Sequence, residues 1–359
     1  MRYTGVAGVL LVICLVLGWS VQGVGAGQLL TTTHKRAPGH SEGSGSDSSS
    51  SLVLLRPADG DLIKSHPGRA GNVFNSSGDA AILERRISAV SAVVVDARSG
   101  RMLFALNPDL PRQPASTVKV LTGLIAMHSL RDSELVPTSR RAASMPRSKI
   151  YLQQGRSYRA GDLINATLLR SGNDATVALA EKIAGSESAF ARLMTSKARS
   201  LGATNTVIVN SNGLTARGQQ STPRDLALIL HRAMQDREFA RRIGSTTAKT
   251  HFGQTLRTNN KALWEIKGAE GGKTGYTRAA KQTYVGKFKR GSHEIVIALM
   301  GSRTMWDDVS HLVEFGFRHV AGGAVMAAAP VDPAFTRRAA APSGSVALTV
   351  LHDAAKSSL

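Results

Sequence analysis

The chain has one cysteine, Cys14, so no intramolecular disulfide and no thiolate metal cluster can be built from it. Aromatic residues are also scarce, at 5% of the sequence, which leaves few rings for nucleobases to stack on. Acidic residues are outnumbered, 25 Asp and Glu against 45 Lys and Arg, so the formal net charge is +20. Such a surface attracts polyanions, whether acidic polymers, phospholipid headgroups or nucleic acid, unless it is simply a solvated basic face. The ten histidines show no His-Glu-x-x-His or other ligand spacing, and no metal site is expected.

There is no long uninterrupted apolar run. The stretch from Val6 to Leu17 follows Arg2, falls short of the roughly 20 residues of a membrane span, and is broken by Gly18, Gln22 and Gly23. With the small residues Val24-Gly25-Ala26 behind it, residues 1–26 read as an export signal cleaved near Ala26, the alternative being a retained anchor. Cys14 lies inside this segment, so the mature chain would have no thiol, and its stability would rest on a core drawn from a 42% hydrophobic composition. Export also separates the chain from nucleic acid, which is excluded as a partner.

Residues 27–86 show little periodicity and include a Gly/Ser/Asp run from Ser41 to Ser51, expected to be a solvated linker without an apolar face to offset ordering entropy. A folded domain is expected over residues 87–321, followed by an Ala- and Pro-rich disordered tail over 322–359. Within the domain, Ala89–Val95 and Met102–Leu106 read as a hairpin across Gly100. Pro114 precedes a helix from about Ser116 to Ser129, with Val118, Leu121, Ile125 and Leu130 on one face. Further helices are expected over 162–169, 175–183, 188–201 and 223–234, then a second hairpin over 282–289 and 294–300, and a closing amphipathic helix over 305–319. Strands at both ends of the domain with helices between them predict an α+β fold.

Three short motifs occur once each and in order: Ser116-Thr117-Val118-Lys119, Ser171-Gly172-Asn173 and Lys273-Thr274-Gly275. Taken alone, Ser116 could be an ordinary N-cap with Lys119 in solvent, and Ser171-Gly172-Asn173 a capping loop. The Gly271-Gly272-Lys273-Thr274 stretch superficially resembles a phosphate cradle. It fails as one, because Lys267 stands where the first glycine is required and the following sequence is strand-like. In sequence the first motif makes chemical sense: Lys119 follows Ser116 by three positions, so on a helix the amine reaches the hydroxyl, and a serine needs such a base to attack at neutral pH. Desolvation and a second cation, Lys273, would both favour a neutral Lys119.

With these motifs in view, and with Asn210-Ser211-Asn212-Gly213-Leu214 and Ser221-Thr222-Pro223-Arg224-Asp225-Leu226 between the second and third, the chain from about Ile87 to Val320 resembles the low-molecular-mass penicillin-binding proteins, within them the D-alanyl-D-alanine carboxypeptidases. The resemblance implies a β-lactamase/transpeptidase-like architecture, an antiparallel sheet flanked by helices with a mostly helical region forming the cleft. It implies Ser116 as nucleophile, Lys119 as base and Ser171 as proton relay, with Asn173 orienting the substrate amide. Lys273 and Thr274 would face the terminal carboxylate, Gly275 would let the substrate strand approach, and the amides of Ser116 and Tyr276 would form the oxyanion hole. No metal or organic cofactor is implied. The implied partners are peptidoglycan stem peptides, β-lactams as covalent inhibitors, and anionic wall polymers or the membrane surface, on the outer face of the cytoplasmic membrane. Cleavage of cross-links by a D,D-endopeptidase remains the strongest alternative; a β-lactamase or an inactive wall-binding module is further away.

Overall fold

A computed structural model describes residues 78–321 and 332–336. The expected export signal over 1–26, the greater part of the expected linker and most of the expected tail lie outside the described residues.

Helix α1 (Gly78–Arg86) leads into a hairpin of β1 (Ser91–Asp96) and β2 (Met102–Leu106). A 3-10 turn, Ala115–Val118, runs directly into α2 (Lys119–Ser129). The helical region follows, with α3 (Arg140–Ala143), α4 (Ala160–Asn165), a π-helical turn at Ala166–Arg170, α5 (Asn173–Ala184), α6 (Glu187–Ser200), α7 (Pro223–Ala233) and α8 (Arg237–Ile243). It carries two short ladders, β3 (Leu135–Pro137) with β4 (Ser157–Arg159) and β5 (Thr247–Lys249) with β6 (Thr255–Arg257). After α9 (Ala262–Glu265) come three long strands, β7 (Ala269–Thr277), β8 (Lys281–Arg290) and β9 (His293–Ser302), then α10 (Met305–Ala321) and α11 (Pro333–Thr336).

The strands from the two ends of the domain form one antiparallel sheet in the order β2-β1-β9-β8-β7. Its central strands read as unbroken apolar runs because both faces are covered. Val93, Val95, Val296 and Ala298 belong to a core shared with α2, α5 and α7, whereas Ala92, Val94, Ile295 and Ile297 pack with Leu83 of α1 and with Val309, Leu312 and Phe315 of α10. This period-two division is what a pleated strand imposes. At one end of the sheet β7 has a strand neighbour on one side only, and its free edge faces the helical region.

The helices begin and end where local chemistry dictates. Thr222 accepts a hydrogen bond from Asp225 N and Pro223 opens α7, while Ser186 caps α6 by accepting from Ala189 N. Gly185, at φ 73°, ends α5 in the left-handed conformation that glycine adopts without strain. Among the described residues, no helix is long and apolar enough to cross a membrane.

Three expectations differ from what is observed. First, residues 78–86 do not belong to a linker: they form α1, which places Ala80 and Leu83 against α10. Only one narrow stripe of that helix is apolar, so tertiary packing rather than periodicity stabilises it. Second, residues 332–336 of the expected disordered tail are ordered against α7. There Asp332 pairs with Arg224 at 3.1 Å, the Arg232 guanidinium donates to the Ala334 carbonyl, and Phe335 is buried beside the His231 ring. Third, the helix expected from Ser116 starts as a 3-10 turn, with Lys119 N donating to the Ser116 carbonyl.

If α1 is part of the folded domain, Leu83→Ala should lower stability by about 2–4 kcal/mol, the usual cost of deleting a buried leucine. A urea unfolding midpoint equal to that of the unmodified chain would show that α1 only rests on the surface.

Candidate active site

The three motifs converge from three different elements. Ser116 sits in the 3-10 turn and Lys119 begins α2; Ser171 and Asn173 flank the junction of the π-helical turn and α5; Lys273, Thr274 and Gly275 lie on the edge strand β7. Between them is a cleft of about 400 Å³, lined in part by Ser116, Ser171, Asn173, Thr274 and Tyr276. Each residue singled out from the sequence is therefore in the cleft wall or directly beneath it.

The tight first turn explains the Ser116–Lys119 contact. In a 3-10 turn residues i and i+3 eclipse, and Lys119 Nζ lies 2.9 Å from Ser116 Oγ. The turn is held in place by its neighbours: Thr117 Oγ1 and Thr283 Oγ1 both donate to the Pro114 carbonyl, at 2.7 and 3.0 Å. Ala115, immediately before the serine, is held at φ 52°, a region where an alanine is strained. Ser171 is likewise left-handed, at φ 61°. Two glycines permit this packing. A Cβ on Gly275 would lie 2.8 Å from Ser116 N and 2.4 Å from Thr283 Oγ1, and one on Gly213 would lie 1.9 Å from the Ala115 carbonyl oxygen. Gly275 thus lets β7 close onto the serine turn, a task additional to the substrate approach that the resemblance implies.

Lys119 is fully buried, and Nζ has three partners: Ser116 Oγ, Asn173 Oδ1 at 2.8 Å and the Asn212 carbonyl at 2.6 Å. The Asn173 amide is oriented by its own nitrogen, which donates to the carbonyls of Pro146 and Arg147 at 3.0 and 3.1 Å, so its oxygen is left for the lysine. Asn173 Oδ1 and the Asn212 carbonyl can only accept. A neutral amine therefore gives its two hydrogens to them and directs its lone pair at the Ser116 hydroxyl. Burial, then the charge of Lys273, pushes the Lys119 pKa well below the ordinary lysine value; the more distant carboxylates of Asp174 and Glu187 oppose this. No carboxylate contacts Nζ among the described residues.

Lys273 is also buried; it donates to Ser171 Oγ and to the Thr274 carbonyl, both at 2.9 Å. Burial lowers its pKa to about 7. The pair of lysines thus reaches both serines, one from each side of the cleft. Tyr276 is exposed at the cleft mouth.

Several supporting groups were not legible as such in the sequence. Asn212 acts through its main-chain carbonyl, and the loop that presents it is fixed by Glu187, whose Oε1 accepts from Ser211 N, Ser211 Oγ and Asn212 Nδ2 at 3.2, 2.8 and 3.1 Å. Thr122 Oγ1 ties the same loop to α2 by donating to the Ser211 carbonyl at 2.7 Å. Asp174 accepts from Ile150 N and Leu152 N at 3.0–3.1 Å and so anchors residues 146–152 over the start of α5. The Asn-Ser-Asn-Gly segment stood out in the sequence; Glu187, one acid among 25 Asp and Glu, did not. Among the described residues, no group of three or more His, Cys, Asp or Glu is placed to hold a metal ion.

Similarity to known proteins extends over most of the described domain. Residues 78–304 match the family described as D-alanyl-D-alanine carboxypeptidase. The chain is 36% identical over 236 residues to the D-alanyl-D-alanine carboxypeptidase DacB2 of Mycobacterium tuberculosis, covering 63% of this chain and 81% of that protein. It is 32% identical over 247 residues to DacF of Bacillus subtilis, covering 64% of this chain and 62% of the relative's length. Its structure superimposes on penicillin-binding protein D2 of Listeria monocytogenes in the ampicillin-bound form with a TM-score of 0.59, at 27% identity, covering 64% of this chain and 98% of the other.

The Gly213 contact can be tested against a matched site. Gly218 has nearly the same backbone angle, φ 80° against 82°, but open space where a Cβ would stand. Gly218→Ala should cost about 1 kcal/mol from backbone strain alone, whereas Gly213→Ala should cost several-fold more because the turn before Ser116 must move. Equal losses in denaturant midpoint would contradict the steric account.

Proposed function

Because the chain belongs to the D-alanyl-D-alanine carboxypeptidase family, we propose that its three motifs remove the terminal D-alanine from peptidoglycan stem peptides through an acyl-enzyme on Ser116. The observation that carries this reading is the buried Lys119 amine, whose only partner among the described residues able to donate a proton to it is the Ser116 hydroxyl.

In the first half-reaction the Ser116 proton passes to Lys119 Nζ as Oγ attacks the carbonyl of the penultimate D-alanine. The negative charge that develops on the carbonyl oxygen falls to the amides of Ser116 and Tyr276. Collapse breaks the C–N bond, and the proton that Lys119 took from Ser116 passes by way of the Ser171 hydroxyl, which Lys273 holds, to the departing amine, leaving Lys119 neutral again. Water then attacks the ester, Lys119 again serving as base, and the shortened stem peptide leaves with Ser116 restored. Asn173 aligns the substrate amide, and Lys273 and Thr274 face the terminal carboxylate. A β-lactam enters the same first step, since its strained amide stands in for the scissile bond, and its bulk delays hydrolysis. The outer face of the cytoplasmic membrane, expected from residues 1–26, is where such a substrate lies, and the basic surface suits anionic wall polymers there.

The chemistry sets the sign of the pH dependence. Attack needs neutral Lys119, so acylation falls as pH drops through the Lys119 pKa, and the charge of Lys273 is one of the forces holding that pKa down. In Lys273→Gln the acidic limb of the fluorescent-penicillin acylation profile should move to higher pH, with Ser116→Ala unlabelled at any pH. A limb that stays in place, or labelling of Ser116→Ala, would remove these assignments.

A cation beside a hydroxyl at a sheet edge suits an anion. Amidating the terminal carboxylate of a pentapeptide should therefore reduce turnover sharply, and Thr274→Ala should narrow the difference between acid and amide. Equal cleavage of both by the unmodified enzyme would favour a D,D-endopeptidase, whose substrates need no free carboxylate next to the cut.

A further inference from the structure

One wall of the cleft carries a charge that the proposed reaction does not use. Among the described residues lining the cleft, Arg147 is the only one with a charged side chain outside the buried lysine pair, and no acidic side chain lines it. Arg147 is exposed, and its guanidinium has no hydrogen-bond partner among the described residues.

Its backbone, by contrast, is held firmly. The Arg147 carbonyl accepts from Asn173 Nδ2 at 3.1 Å, the Ser148 carbonyl accepts from Asn173 N at 2.7 Å, and Ile150 N is pinned to Asp174. The arginine thus projects from a segment fixed to the same asparagine that holds Lys119, on the wall formed by the start of α5. The other wall, β7, supplies Thr274, already assigned to the terminal carboxylate. What remains for Arg147 is the acyl half of the substrate, the residues that precede the scissile bond.

A guanidinium presents a planar fork of donors that matches a carboxylate bidentately, and it remains charged at any physiological pH. A neutral side chain opposite it would leave those donors to water, and an ammonium would be repelled. Resting on the carboxypeptidase reading above, we infer that Arg147 selects substrates in which the residue before the D-Ala-D-Ala pair carries a free side-chain carboxylate, in preference to its carboxamide or to an amine.

The test uses two pentapeptides that differ only in that side chain, carboxylate in one and carboxamide in the other, and compares kcat/KM. The full-length enzyme should prefer the carboxylate by about tenfold, the worth of one charge-assisted contact. In Arg147→Gln the ratio should fall close to one, a within-protein ratio that partial loss of folded enzyme cannot mimic. Arg199→Gln, which removes an equal charge from the exposed last turn of α6, should keep the tenfold ratio and so separates a local contact from the field of a +20 chain. Equal use of both peptides by the unmodified enzyme, or a preference that survives Arg147→Gln, overturns the inference and leaves the carboxypeptidase reading standing. Failure to cleave either peptide overturns both.

Discussion

A lysine amine buried with no carboxylate in contact among the described residues is the constraint around which the site is arranged. An ammonium in that position is costly to desolvate, and the described residues do not compensate it with an ion pair. They supply instead two neutral acceptors, the Asn173 side-chain oxygen and the Asn212 carbonyl, with the Ser116 hydroxyl as third partner. That choice keeps the proton affinity of Lys119 low. Replacing the Asn173 amide by a carboxylate would place an anion against Nζ and hold the lysine charged.

The rest of the architecture serves to bring those three oxygens to one nitrogen. The serine turn is braced by β7 and β8 through Gly275 and Thr283, the asparagine side chain by the segment over α5, and the carbonyl by a loop that Glu187 fastens to α6 and Thr122 to α2. Each brace comes from a different element, so the site depends on the sheet and the helical region being correctly packed together. The fully covered sheet, with α7 on one face and α10 on the other, gives that packing its rigidity.

This division of labour also decides what was legible in the sequence. Ser116, Lys119, Ser171, Asn173, Lys273 and Thr274 belong to motifs whose side chains stand at fixed local spacing, and a spacing can be read. The central strands and the two hairpins were readable for the same reason, as were α6 and α7, which carry apolar faces and explicit caps. Asn212 acts through a carbonyl that any residue possesses, so its type says little about its task. Glu187 and Arg147 are defined by neighbours distant in sequence. Helix α1 and the 332–336 strap bury few apolar groups each, Ala80 and Leu83 in one and Phe335 in the other, and neither builds a periodic signal. The positive φ of Ala115 stands where Gly213 packs against its carbonyl, a tertiary contact.

The loop that presents the Asn212 carbonyl has a bearing on chemical ageing. Asn212 precedes Gly213, and an asparagine–glycine bond is where a chain most readily cyclises to a succinimide and reopens as isoaspartate, lengthening the main chain by one carbon. At this position that extra carbon would displace the carbonyl on which Lys119 relies. Ring closure requires the Gly213 nitrogen to swing onto the Asn212 side-chain carbon. In the folded protein that nitrogen donates to Asn210 Oδ1 at 2.8 Å, while the Asn212 amide is tied at both ends, to Glu187 and to Leu214 N. The clamp that aims the carbonyl therefore also holds the Gly213 nitrogen away from the Asn212 side-chain carbon and opposes ring closure in the folded chain.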